Sequence, residues 1–180
     1  MGERRGRFEA QVLPHLDAAY RYARWLCGSC ADADDVVQEA VLRAFRGFEG
    51  LKGDAKPWLL TIVRNCHATA ARQRQRRGFV PLAKEQDLEE GSALIATTPG
   101  PEAIAIAQDE GRRLERLLAA LPEPHREVLV LREIEDMDYR QIAAVTNVPV
   151  GTVMSRLARA RAALKAQWAA RAVGGLHDVP

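Results

Sequence analysis

The sequence predicts an all-α fold: two small helical domains joined by a flexible linker, the C-terminal one a helix-turn-helix. Three observations carry that expectation. Apolar residues recur at three- and four-residue steps wherever they are periodic, and strand-like alternation is confined to short ambiguous runs. Periodicity lapses between Pro81 and Pro101, where acidic and turn-forming residues gather. Near the C-terminus a short capped helix, an asparagine and a proline follow in the order of a helix-turn-helix.

The first domain is expected over residues 1–80. Phe8, Val12, Leu13, Leu16, Ala19, Tyr20, Ala23 and Leu26 make one helical stripe, with a start or bend near Pro14. Gly28 and Ser29 break it. Asp32 is the expected N-cap of the next helix, with Asp34 and Asp35 in its first turn, where the helix dipole favours anions. The apolar stripe of that helix reads Val37, Ala40, Val41, Ala44, Phe45 and Phe48; its other face shows Asp35, Gln38, Glu39, Leu42, Arg43 and Arg46. Residues 50–57 read as a loop, with Pro57 opening a helix whose core begins at Trp58, Leu59, Ile62 and Val63. That helix ends in Arg72, Arg74, Arg76 and Arg77, and Gly78 stops it. Four arginines exceed what a helix dipole needs, and point to nucleic acid.

Residues 81–101 form the expected acidic linker, carrying Glu85, Asp87, Glu89 and Glu90 before the turn-rich Thr97 to Pro101. The second domain is expected over residues 102–172, followed by a tail over 173–180. Ile104, Ala107, Leu114, Leu117, Leu118 and Leu121 mark its first helix, and Val128, Leu129, Leu131 and Ile134 the next. Asp138 and Gln141 have capping-box spacing. Asn147 stands where a tight turn needs positive φ, and Pro149 opens the following helix. On that helix Val153, Leu157, Ala160 and Leu164 form a core seam. Thr152, Ser155, Arg156 and Arg159 share a side arc suited to DNA, and Arg161 and Lys165 flank it.

Composition narrows the function classes. Nearly half of the 180 residues are apolar (47%) and 28% are charged, so a packed core is affordable. The net charge of +2 is uninformative, but the arginines cluster in two places with acidic residues between them. Three cysteines, an odd count, suit a reducing compartment. No apolar run approaches the ~20 residues of a membrane helix, and the N-terminus lacks a signal-peptide stretch. The expectation is a cytoplasmic chain without membrane insertion. Cys27 and Cys30 have CxxC spacing, but no second pair or histidine motif accompanies them, so no metal site and no cofactor are expected. P-loop, GxSxG, HExxH and dinucleotide fingerprints are absent, so the chain reads as a non-enzyme with no catalytic residues.

The run from Asp32 to Arg46 (DADDVVQEAVLRAFR) resembles the polymerase-binding helix of bacterial sigma factors. Pro57 to Asn65 (PWLLTIVRN), with the arginines behind it, resembles their −10 helix. Leu121 to Arg132 (LPEPHREVLVLR), with the helix-turn-helix, resembles their −35 domain. Motif order and short length are similar to the extracytoplasmic-function (ECF) subgroup. The resemblance implies a factor that binds core RNA polymerase, directs promoter recognition and melting, starts transcription, and is held inactive by an anti-sigma factor. Asp35, Gln38, Glu39, Leu42 and Arg43 would dock on polymerase. Lys56, Asn65, Arg72, Arg74, Arg76 and Arg77 would meet the −10 element, with Arg64 adding phosphate attraction and the loop Gly53 to Lys56 holding a flipped base. Thr152, Ser155, Arg156 and Arg159 would meet the −35 element, and the linker would thread into polymerase channels. The chain departs from the family pattern at Thr69, where an aspartate is frequent. It departs again at Met154, where arginine is common, and at Ala158, where an aromatic is frequent. Two other classes remain: a stand-alone helix-turn-helix regulator, and a thiol or metal sensor acting through Cys27 and Cys30.

Overall fold

The computed structural model describes residues 2–76, 111, 114 and 116–174, with side chains through Ala169. The expected acidic linker and Arg77 lie outside the described residues. Every regular element among the described residues is helical.

The first unit contains α1 (Gly2–Val12), α2 (Leu16–Cys27), α3 (Cys30–Gly47) and α4 (Ala55–Arg76). Pro14 separates the first two by a single 3-10 turn over Leu13–His15. Gly28 ends α2 in the left-handed region, at φ 73°, and returns its N–H to the Arg24 carbonyl. Ser29 then caps α3, its hydroxyl accepting from the Asp32 N–H at 3.2 Å. The cap is therefore Ser29 and not Asp32, which lies inside the first turn. The chain reverses over two residues only, so the helix starts earlier than the acidic run suggests.

The buried stripe of α3 keeps the expected Ala40, Ala44 and Phe48 but leans toward Ala33 and Val36, away from Val37, Val41 and Phe45. Ala33, Val36, Ala40, Ala44 and Phe48 are buried, while Val37 and Val41 are half-buried and Phe45 is 38% exposed. The alanine row lets α3 lie close to its neighbours, and the bulkier Val37–Val41–Phe45 row sits at the margin. There the Phe8 ring meets Phe45 and Phe48 edge-on, with centroids 5.1 and 5.5 Å apart. Asp54 caps α4 by accepting from the Lys56 N–H at 3.0 Å. Pro57 falls in the first turn, where a missing N–H costs nothing. Tyr22, Leu59, Leu60 and Val63 complete this core with no exposure.

The second unit contains α5 (Glu123–Glu133), α6 (Tyr139–Thr146) and α7 (Val150–Gly174). The last helix runs two residues past the boundary expected at 172. Leu117, Leu118, Leu121, Val128, Leu131, Ile142, Val145, Val153 and Leu157 are all buried. The turn between α5 and α6 is tightly held. Asp136 takes a left-handed φ of 51°, the Met137 side chain is buried, and Arg132 donates to the Met137 carbonyl at 2.7 Å.

The sequence suggests two units connected by a tether alone. The structure packs them directly, with α2 and α4 of the first lying on α5 and α6 of the second.

Candidate nucleic-acid interface

The helix-turn-helix is built from local chemistry. The Asp138 carboxylate accepts from the N–H groups of Arg140 and Gln141 at 2.7 and 2.8 Å, and Gln141 Oε1 accepts from the Asp138 N–H at 2.9 Å. Asn147 ends α6 at φ 52°. The Pro149 carbonyl accepts from Thr152 and Val153, so proline stands at the cap of α7. Val153, Leu157 and Ala160 fix the buried side of α7, and Leu164 is half-buried. Ser155 and Arg159 are exposed, and Thr152 and Arg156 are half-exposed on the adjoining arc. The Ser155 hydroxyl donates to the Thr152 carbonyl. Met154 is 53% exposed. Arg161, on the flank of that arc, is bonded to Glu133 at 2.6 Å.

On the first unit the predicted residues separate into groups. Asp35, Gln38, Leu42 and Arg43 are exposed along one side of α3, where Leu42, at 53% exposure, is an apolar side chain among polar ones. Glu39 accepts from Arg43 at 2.6 Å, and that hydrogen bond raises the Arg43 pKa. Asn65, Arg72 and Arg76 are exposed at spacings of seven and four, so they share one face of α4. Asn65 also borders a depression of about 350 Å³ with Arg43, Gly47, Gly50, Trp58 and Ile62. Trp58 is thus half-buried at a cleft wall, neither wholly core nor wholly free. Arg74 is held away from that face by Asp32, at 2.7 Å. Thr69 bonds back to the Asn65 carbonyl at 2.8 Å. A second hollow of about 380 Å³ between α3 and α4 is bounded by Asp35, Glu39, Arg43, Cys66, Gln73 and Arg74.

Lys56 is not directed at solvent. Its ammonium lies 3.1 Å from Glu135 Oε2 and 2.6 Å from the Glu135 carbonyl. Arg21 donates to both oxygens of the same carboxylate, at 2.9 and 3.1 Å. Glu127 accepts from Arg64 at 2.7 Å and from the Tyr22 hydroxyl at 2.8 Å. Burial, reinforced by the Glu127 charge, pushes the Tyr22 phenol well above its ordinary pKa. Burial opposes the charge on Arg64, but Glu127 outweighs it and the net shift is upward. Gln141 Nε2 donates to Asp54 at 3.2 Å, so α6 also touches the loop before α4.

The cysteines follow separate paths. Cys27 Sγ faces His67 Nδ1 at 3.5 Å, Cys30 contacts the Arg24 guanidinium, and Cys66 is buried, which raises its pKa. Among the described residues, no three His, Cys, Asp or Glu side chains are placed to hold a metal ion. No described helix is long and apolar enough to cross a membrane.

Comparison with known proteins matches both units. Sigma-70 region 2 covers residues 12–77, and Sigma-70 region 4 covers residues 111–164. The ECF RNA polymerase sigma-E factor of Escherichia coli K12 is 34% identical over 138 residues, covering 74% of this chain and 72% of that protein. The chain belongs to the ECF RNA polymerase sigma factors. ECF sigma factor SigE of Mycolicibacterium smegmatis is also 34% identical to this sigma factor, over 155 residues and 86% of the chain. That match spans only 58% of the mycobacterial protein. Among solved structures, the sigma factor RpoE of Bartonella quintana, in complex with the anti-sigma factor NepR, superposes with a TM-score of 0.71. It is 25% identical over 88% of this chain and 94% of that one. CnrH, in complex with the cytosolic domain of CnrY, gives a TM-score of 0.61 at 25% identity, over 92% of this chain and 87% of that one.

Sequence reasoning about this sigma factor missed Arg21, Tyr22, Glu127 and Glu135. Their partners lie far along the chain, between 63 and 114 residues away. Glu127 alone left a trace, as a carboxylate heading the apolar run Val128 to Leu131.

Proposed function

We propose that this sigma factor binds core RNA polymerase, directs it to promoter DNA through two surfaces, assists strand separation and starts transcription. The observation that carries the reading is the open arc of α7, with Ser155 and Arg159 exposed and Thr152 and Arg156 half-exposed beside the buried Val153, Leu157 and Ala160. A recognition helix needs that division: core contacts fix its orientation, and the open arc reaches base edges and phosphates. Arg156 can hold a guanine edge with two bonds, and exposed Met154 can pack on a thymine methyl group, both in the major groove of the −35 element.

The α3 face of Asp35, Gln38, Glu39, Leu42 and Arg43 serves as the polymerase contact, with Leu42 as its apolar centre. Asn65, Arg72 and Arg76 serve the −10 element from the open face of α4, together with Arg77, and Arg74 and Lys56 join them only on leaving Asp32 and Glu135. The depression beside Asn65 and Trp58 is of a size and polarity suited to an unstacked base. An anti-sigma factor restrains the chain, as NepR is found with its sigma factor partner. The chain acts in the cytoplasm and carries out no chemistry itself; nucleotide addition belongs to the polymerase.

Reconstituted transcription tests this directly. Purified chain, core polymerase and genomic fragments should yield discrete start sites that vanish when the chain is omitted. A chain that neither co-elutes with polymerase at low salt nor creates any start site contradicts the proposal.

A further inference from the structure

The corner between α2 and α3 gathers four groups that promoter binding does not use. Cys27 closes α2 and Cys30 opens α3. Between them Gly28, at a left-handed φ of 73°, and the extended Ser29 reverse the chain. Arg24 and Cys27 stand one turn apart on α2 and share a face. The Arg24 guanidinium contacts Cys30 Sγ, which brings that sulfur to the side of α2 that carries Cys27. From α4, His67 Nδ1 comes within 3.5 Å of Cys27 Sγ. We propose that Cys27 and Cys30 form an exchange site for the disulfides of low-molecular-weight thiols. Cys30 is the attacking sulfur and Cys27 the resolving one, with Arg24 and His67 as their positioning groups.

The two sulfurs differ in the way such a pair requires. Cys27 is 1% exposed, whereas Cys30 is half-exposed and open to a small reagent. Cys30 takes the first position of an 18-residue helix, beside a guanidinium. Helix starts and arginines both attract negative charge, and the thiolate is the attacking form of cysteine. Asp32, the next carboxylate along α3, is already taken up by Arg74 at 2.7 Å. Cys27 is sealed from solvent and needs a proton acceptor beside it, which the His67 imidazole supplies. Cys66 is the contrast: burial pushes its thiol up, which suits an inert core sulfur.

The exchange runs in two steps. The Cys30 thiolate attacks one sulfur of a small disulfide RS–SR. That bond breaks, RS⁻ leaves and takes up a proton, and a mixed disulfide forms on Cys30. Cys27 then passes its proton to His67 Nδ1 and attacks Cys30 Sγ. The mixed disulfide breaks, the second RS⁻ leaves and is protonated, and a bond between Cys27 and Cys30 closes a four-residue loop. Two protein thiols are oxidised, and one small disulfide is reduced to two thiols. The new bond takes the Cys30 sulfur from Arg24 and ties the start of α3 to the end of α2. Reduced small thiol reverses both steps, so the bond marks an excess of the oxidised form in an otherwise reducing compartment.

The test uses the full chain, reduced and then freed of reductant under nitrogen. Oxidised glutathione is the probe, followed by acid quenching, alkylation and peptide mass mapping. Wild type should end with Cys27 bonded to Cys30 and with Cys66 alkylated. Cys27→Ser should stop at a glutathione mixed disulfide on Cys30, and Cys30→Ser should react about tenfold more slowly than wild type. Arg24→Gln should slow formation of the mixed disulfide several-fold, and His67→Gln should slow its conversion to the internal bond. A merely structural role would not divide the two variants between the two steps. Circular dichroism checks that each variant is folded, and the wild-type map decides without any variant. The proposal is overturned if glutathione stays on Cys30 while Cys27 remains alkylated, if Cys66 reacts first, or if the folded chain takes up no glutathione. Arg24 and His67 variants that slow both steps alike also overturn it. Neither polymerase nor DNA enters the assay, so its outcome is separate from that of the promoter-binding proposal.

Discussion

Asp138→Ala removes one half of a reciprocal cap from the shortest α-helix among the described residues. The carboxylate accepts two backbone N–H groups, at 2.7 and 2.8 Å, and its own N–H is satisfied in return by Gln141. With eight residues, α6 is too short to persist without its cap and its packing. Loss of a good N-cap costs about 0.5–2 kcal/mol, and two lost hydrogen bonds in so short a helix place this site near 1.5 kcal/mol on that scale. The cap is exposed, so water recovers part of the loss and keeps it within that range. At a urea dependence of about 2 kcal/mol per molar, the midpoint of the second unit falls by roughly 0.7 M. Asp138→Asn keeps the acceptor and forfeits mainly the charge–dipole contribution of about 0.3–1 kcal/mol, so it should shift the midpoint roughly a fifth to two thirds as far. The assay is urea unfolding followed by far-ultraviolet circular dichroism. An alanine midpoint matching wild type, or an asparagine variant as damaged as the alanine one, refutes the reasoning.

Arg156→Ala should weaken −35 binding by about 1–3 kcal/mol and relax base preference at one position, whereas Arg76→Ala should weaken all sequences alike and lower the salt slope by about one. Competition binding with a panel of point-substituted promoters at several salt concentrations separates the two; equal sequence effects would contradict that division. Leu157→Ala, at a side chain 1% exposed, should cost about 2–5 kcal/mol of stability, while Met154→Ala on the open arc should stay within about 0.5 kcal/mol. Denaturant midpoints measure both. Tyr22 is pushed up by burial and by Glu127, so its folded pKa exceeds the unfolded value near 10. Its contribution is fully present below about pH 10 and is lost as pH rises through the folded value. Midpoints taken from about pH 9 to 11 should fall more steeply for wild type than for Tyr22→Phe, and parallel curves would refute the assignment.

What the sequence determined by itself is what nearby residues can decide. Helix identity came from apolar spacing, and the capping box at Asp138, the left-handed Asn147 and the seam of Val153 and Leu157 all depend on partners within a turn or two. The expected stripe of α3 held at Ala40, Ala44 and Phe48 but leaned toward Val37, Val41 and Phe45 instead of Ala33 and Val36, because alanines and valines are both apolar. Only the neighbours α2 and α4 select the narrow row of Ala33, Ala40 and Ala44 for close approach. The candidate site divides in the same way. Exposed Leu42, Asn65 and Arg76 could be placed from helix faces alone.

Tertiary structure alone decided the fate of the charges between the units. Lys56 and Arg64 looked like open cations in the sequence, and Glu135 had no distinguishing pattern. Their pairing depends on how one folded surface meets another, over separations of 79, 63 and 114 residues. Local periodicity carries no information about such distances, since it reports which side of a helix is buried and not what covers it. Electrostatic partners across an interface are set by the packing of whole elements, after local preferences have been met.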